Sequence, residues 1–152
     1  MTSVLERTQR IPRPRAEVFR FFEDASNLER ITPPFLRFAI LTEQPIVMRE
    51  GALIDYSIAL FALPLRWRTR IESYEAPERF VDCQIRGPYR SWRHSHELFP
   101  NGPDATIMVD RVEYEMPLGP LGSFAKVIFV KRTLDRIFDY RRDAIARLFP
   151  ET

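Results

Sequence analysis

The sequence carries a single cysteine, Cys83, within a stretch that reads as a strand, so an internal disulfide framework is excluded and a reducing compartment suits the chain. Cys83 itself is expected as a small buried hydrophobe. Charge of one sign is also lacking. The 23 Lys and Arg against 21 Asp and Glu leave a net +2 spread along the chain, which argues against a nucleic-acid partner. No apolar run approaches the ~20 residues that cross a bilayer, and Met1 to Arg7 has no apolar signal core. A cytoplasmic location without integral membrane association is the expectation. Histidine is scarce as well: His94 and His96 are the only two, and no cysteine cluster supports them. Zinc wants three or four convergent ligands, which Cys83 or Asp82 would have to complete, so neither a metal nor any other cofactor is expected. A phosphate-binding loop, a dinucleotide fingerprint and a nucleophile motif are all missing, which removes the more specific enzyme classes.

What is present fits one ordinary domain over residues 1–152, with 45% hydrophobic and 29% charged residues. Twelve Phe, five Tyr and two Trp are enough aromatic mass to fill a core and also line a cavity. Ser3 to Ile11 reads as a first strand ended by Pro12 and Pro14. Two short helices follow: Arg15 to Glu23, with Val18, Phe19 and Phe22 on one face, then a segment capped by Asp24 that stops before Thr32-Pro33-Pro34. Six strand signals come next, at Phe35–Thr42, Ala52–Phe61, Leu65–Tyr74, Arg79–Arg86, Ser91–Phe99 and Thr106–Glu115, separated by short Pro- and Gly-marked turns. The last segment, Pro120 to Phe149, predicts one long helix with Phe124, Val127, Ile128, Leu134, Ile137, Phe138, Ile145 and Leu148 on its apolar stripe and a solvated charged face opposite. The fold class expected is therefore α+β, a curved antiparallel sheet of about seven strands wrapped on a long C-terminal helix.

Residues two apart on a strand share a face, so Trp92, His94, His96 and Leu98 lie together, as do Thr106, Met108, Asp110, Val112 and Tyr114 on the next strand. Both histidines and Asp110 are expected on the concave side under the helix. There a carboxylate beside two imidazoles can fix their tautomers and present a donor–acceptor array to a ligand. The three could equally do no more than satisfy one another in the core. Arg66, Arg68 and Arg70 form an exposed ladder whose expected partners are carboxylates on neighbouring strands. In an up-and-down meander the apolar connections Phe61–Pro64, Arg86–Tyr89 and Met116–Gly119 fall at one end, where they would rim a pocket mouth.

The order of elements, together with Gly87-Pro88-Tyr89-x-x-Trp92-x-His94-x-His96, Asp110-Arg111-Val112-Glu113-Tyr114 and Pro117-Leu118-Gly119-Pro120-Leu121-Gly122, resembles the SRPBCC or START-like helix-grip superfamily, which includes lipid-transfer domains and polyketide cyclases. The resemblance is to a bacterial branch described as ligand-binding or cyclase/dehydrase-like. The glycine-rich loop of the plant allergen branch is absent, since Glu43 to Glu50 stands in its place. Val81, Cys83 and Ile85 would make as good an inward set as Asp82 and Gln84; the resemblance favours pairing Gln84 with Trp92, which sets Asp82 opposite His94.

Three readings of function follow. The leading one is binding or transport of a hydrophobic small molecule, lipid-, polyketide- or aromatic-like. Tyr56, Ile58, Trp67, Trp92, Met108, Tyr114 and Phe124 would line its cavity, with His94, His96, Asp110, Asp82 and Gln84 at its polar end. The second is a cyclase or dehydratase acting on a polyketide-like carbonyl compound, in which His94, His96 and Asp110 move protons. The third is a partner-binding module, a homodimer or a complex with another protein, with a vestigial cavity and the apolar rim as contact surface.

Overall fold

The structure, a computed structural model, describes residues 1–60, 62–117 and 124–151, the side chains of Phe124 and Ala125 excepted. Strand β1 (Ser3–Ile11) leads through Pro12 and Pro14 into helix α1 (Arg15–Glu23), which buries Val18, Phe19 and Phe22. The Asp24 carboxylate then accepts from the Ser26 N–H at 3.0 Å and opens a 3-10 segment over Ala25–Ile31. A second 3-10 turn occupies Pro34–Leu36, and the chain continues as β2 (Ala39–Ile40), β3 (Leu53–Leu60), β4 (Leu63–Glu75), β5 (Arg79–Arg86), β6 (Ser91–Pro100), β7 (Thr106–Glu115) and α2 (Phe124–Leu148). The strands form one sheet in the order β1-β7-β6-β5-β4-β3-β2, with all pairings antiparallel.

The strand expected over Phe35–Thr42 is the main departure, since only Ala39 and Ile40 pair with β3. Pro34 takes the first position of a turn that buries Leu36, and Arg37 sits in the left-handed region at φ 45°, so the local geometry closes a corner before any ladder can begin. Pairing is also irregular between β4 and β5, at Arg68/Thr69 and at Ile71/Ser73. Such bulges bend and twist a strand, and here they curl the sheet over α2.

Helix α2 places Leu134, Phe138, Ala144 and Ile145 against the sheet. Val127, expected on that stripe, is exposed at 41%. Phe61 and residues 118–123, and with them part of the expected pocket rim and the Pro120 helix start, lie outside the described residues. Three core clusters border the space beneath the helix. One joins Ile11, Val18, Phe22, Phe80, Leu98 and Met108; the second joins Leu5, Val112, Tyr114, Leu134 and Phe138; the third joins Ala25, Ile54 and Ile71. On the convex face Cys83 is half-buried beside Arg70 rather than deep in the core, and Arg68 meets Asp55 through two hydrogen bonds of 2.7 and 2.8 Å. No described helix is long and apolar enough to cross a membrane.

Candidate functional site

Between sheet and α2 lies a cavity of about 190 Å³. Its wall includes Tyr56, Ile58, Trp67, Asp82, Trp92, His94 and His96 of the expected residues. The aromatic lining is continuous: Tyr56 stacks on Trp67 at 5.7 Å, and Trp67 meets Tyr89 and Trp92 edge-on at 5.7 and 5.4 Å. Such contacts hold large apolar rings in fixed orientations and leave little for a ligand to reorganise. The Trp67 indole N–H is buried in this wall with no hydrogen-bond partner among the described residues.

The polar residues gather in one cluster, and the hairpin register explains why. Asp82 stands opposite His94 and Phe80 opposite His96, while His96 stands opposite Asp110 on the other side. The inward set on β5 is thus Phe80 and Asp82, not Val81, Cys83 and Ile85. Asp110 does not line the cavity. It lies beneath the two rings, with Oδ1 at 3.0 Å from His94 Nε2 and 3.1 Å from His96 Nδ1. Asp82 Oδ2 approaches the rings from the other side, at 2.9 Å from His96 Nε2 and 3.9 Å from His94 Nδ1.

Arg141 completes the cluster from α2. Its Nε and Nη2 donate to Asp110 at 2.9 and 3.2 Å, and the whole guanidinium is buried at 7% exposure. The sequence reading passed over this residue. Arg141 falls four residues after Ile137 and four before Ile145, inside the apolar stripe, and a lone arginine at core spacing was the signal for a buried partner.

Burial is the largest influence on Asp110 and favours its neutral form, yet Arg141 and the two histidines outweigh it and hold the carboxyl well below its ordinary range. The histidines split. Burial and the neighbouring His96 push His94 down, toward the neutral ring. Burial acts on His96 in the same sense, but hydrogen bonds to Asp110 and Asp82 overcome it and raise its pKa.

The other expected site residues have different places. Met108 is fully buried in the core cluster below α1, and Tyr114 packs in the second cluster against Leu134 and Phe138. Both face inward as expected, but neither lines the main cavity; Met108 borders only a void of about 20 Å³ beside Asp110, Phe138 and Arg141. Phe124 has its side chain outside the described residues. Gln84 turns away from the cavity: its Nε2 donates to the Tyr89 carbonyl at 2.7 Å and its Oε1 accepts the Tyr89 N–H at 3.2 Å. It acts on the site indirectly, by fixing the turn that lays the Tyr89 ring over Trp92 at 4.8 Å.

Gly87 makes room for this clamp, since a Cβ there would stand 2.3 Å from Gln84 Oε1 and 2.7 Å from its Cδ. Gly87→Ala and Gln84→Ala should each lower stability by about 1 to 2 kcal/mol, the scale of one or two lost hydrogen bonds. The double variant should lose little more than either single one, because both remove the same clamp. Urea unfolding measures this, and fully additive losses would exclude the shared role.

Comparison with known proteins yields one family match and a set of structural likenesses. Residues 11–139 match a family profile described as polyketide cyclase/dehydrase and lipid transport. No curated protein is matched. The fold is similar to that of the Zhui aromatase/cyclase from Streptomyces sp. R1128, at 15% identity and TM-score 0.74 over 95% of this chain and 92% of that one. A START superfamily protein from Mycobacterium smegmatis gives 12% identity and TM-score 0.69 over 95% and 98%. Norcoclaurine synthase from Thalictrum flavum gives 15% identity and TM-score 0.67 over 97% and 86%. At these identities the likeness is one of fold.

Proposed function

We propose, because the chain belongs to the polyketide cyclase/dehydrase and lipid transport family, that it binds a hydrophobic, ring-containing small molecule in the cavity under α2. A ligand-binding or cyclase-type role is common ground for the family; the cavity supports the narrower reading. The observation that carries it is the contrast within one wall, where aromatic and aliphatic side chains surround a charged and imidazole cluster of Asp82, His94, His96 and Arg141. Apolar surface supplies affinity in such a site, and the few polar groups fix orientation. Asp110 holds the histidines from behind and touches the ligand only through them, while Arg141, which holds Asp110, also reaches the cavity wall.

The chain has two tryptophans, and both line the cavity, so intrinsic fluorescence reports on it directly. Titration with 1-naphthol, an apolar ring bearing one polar group, is expected to change that emission saturably. His94→Gln should weaken this binding by ~1 to 2 kcal/mol, about 5- to 30-fold, because one hydrogen bond to the polar group is lost. The thermal midpoint should stay nearly unchanged, since Asp110 keeps Arg141 and His96. A large loss of stability with unchanged binding would instead assign His94 to core packing.

The split between the histidines favours a second reading, a cyclase or dehydratase on a polyketide-like carbonyl compound. Neutral His94 can accept a carbon-bound proton at Nδ1 while protonated His96 gives one to the carbonyl oxygen from Nε2, which is enolisation, the first half of an aldol ring closure. Formation of an aromatic chromophore from a poly-β-ketone, lost in His94→Gln with binding retained, would put this reading ahead. A collapsed, fully packed interior would favour the partner-module reading, and the open cavity does not lend it that support.

A further inference from the structure

The sequence supplied two histidines, with Asp82 or Cys83 left to complete a metal site, and the expectation of no metal rested on that gap. The register of β5 against β6 closes it. With Asp82 opposite His94, one oxygen of Asp82, one nitrogen of His94 and one of His96 lie within 4.8 Å of one another. Two imidazole nitrogens and one carboxylate oxygen on one side of a cation are a donor set that suits zinc and its first-row neighbours.

The groups behind the rings point the same way. His94 Nε2 and His96 Nδ1 both face Asp110, at 3.0 and 3.1 Å. When each donates its N–H to that carboxylate, the opposite nitrogens, His94 Nδ1 and His96 Nε2, present lone pairs on the Asp82 side, and Arg141 Nη2, 3.4 Å from His96 Nδ1, then bonds Asp110 alone. Histidine ligands of metals are commonly backed in this manner by a carboxylate that orients the ring and raises its basicity. Asp110 is itself immobilised by Arg141 through bonds of 2.9 and 3.2 Å.

Charge supplies an independent argument. Asp82 and Asp110 face a single guanidinium, Arg141, so with neutral imidazoles the cluster retains one unbalanced negative charge in a largely buried place. An uncompensated buried charge is costly, and something positive must answer it. Without metal, a His96 Nε2 N–H donated to Asp82 Oδ2 at 2.9 Å fills the role. A divalent cation can take that proton's place.

We propose that Asp82, His94 and His96 form a binding site for one divalent first-row transition cation, with its remaining coordination positions open to the cavity and available to an oxygen of the bound molecule. The site goes beyond the ligand-binding reading and does not depend on it.

Untagged protein, stripped with a chelator and exchanged into metal-free buffer, is titrated with zinc by calorimetry, and the zinc-loaded protein is measured by X-ray absorption at the zinc edge. One zinc per chain is expected, with two imidazole nitrogens and oxygens at about 2.0 to 2.1 Å and no sulfur in the first shell. His94→Phe should weaken binding more than 100-fold, and Asp110→Asn, which removes only the backing carboxylate, by about 10- to 100-fold. Folded wild type that takes up no stoichiometric zinc would overturn the site, as would a sulfur scatterer from Cys83, a shell without imidazole, or undiminished affinity in folded His94→Phe. Should a variant fail to fold, the wild-type absorption spectrum still decides.

Discussion

Arg141→Met should destabilise the fold by about 3 to 5 kcal/mol, the range found when one partner of a buried ion pair is removed and the other is left behind. Methionine approximates the aliphatic stem of Arg141, so the loss is one of charge more than of packing. Asp110, 6% exposed, would then keep its charge with only imidazoles to answer it, or take up a proton at a cost. For a chain of this size the thermal midpoint should fall by roughly 10 °C. The effect has a pH signature. A carboxyl held below its ordinary value of 3.8 contributes its stabilisation in full above that value and loses it as pH falls through the folded one, so the gap between wild type and Arg141→Met should narrow in acid. Urea unfolding across a pH series measures both features. A loss under about 1 kcal/mol at neutral pH would mean that Arg141 is hydrated and that the cluster is not the closed unit its distances describe.

Thr133→Trp should abolish naphthol binding, by about 100-fold or more, while leaving the fold intact. Thr133 lines the cavity from α2, and its hydroxyl bonds only the carbonyl of Phe129 on its own helix at 3.0 Å. Little is lost by removing that side chain. An indole at the same position projects into the open volume and occupies the space a ligand needs, and filling a cavity is neutral to stabilising when no neighbour is displaced. The expected pattern is lost binding with an unchanged or higher thermal midpoint. Retained binding would place the ligand elsewhere on the molecule.

Much of the fold was legible because its signals are local. The bounds of β1, β5 and β7 follow from alternation and from the prolines and glycines beside them, and the inward set of β7 follows from strand parity alone. The failure at Phe35–Thr42 is also local in origin: an apolar run after Thr32-Pro33-Pro34 reads as a strand, but the two prolines impose a turn whose burial needs are met by Leu36. Parity gives the face of a side chain and not the depth of space over it. Met108 and Tyr114 therefore share a face with Asp110 yet pack as core, since α2 rests on β7 and the cavity opens over β3 to β6. Asp82 and Gln84 share parity as well, but Gln84 stands beside the hairpin, where unpaired backbone groups of Tyr89 capture its amide. The contribution of α2 to the cluster was the least accessible part. Helical spacing puts Arg141 among core residues, but only the tertiary fold brings Asp110 within 2.9 Å of it.

The most direct test of a ligand-holding cavity is native mass spectrometry of freshly purified, untagged protein, compared with the same sample after denaturation. An adduct of one small apolar molecule per chain, released on denaturation and missing from Thr133→Trp, is the expected result. Wild-type protein that carries no adduct and acquires none when incubated with a pool of apolar aromatic compounds would contradict a cavity built to hold one.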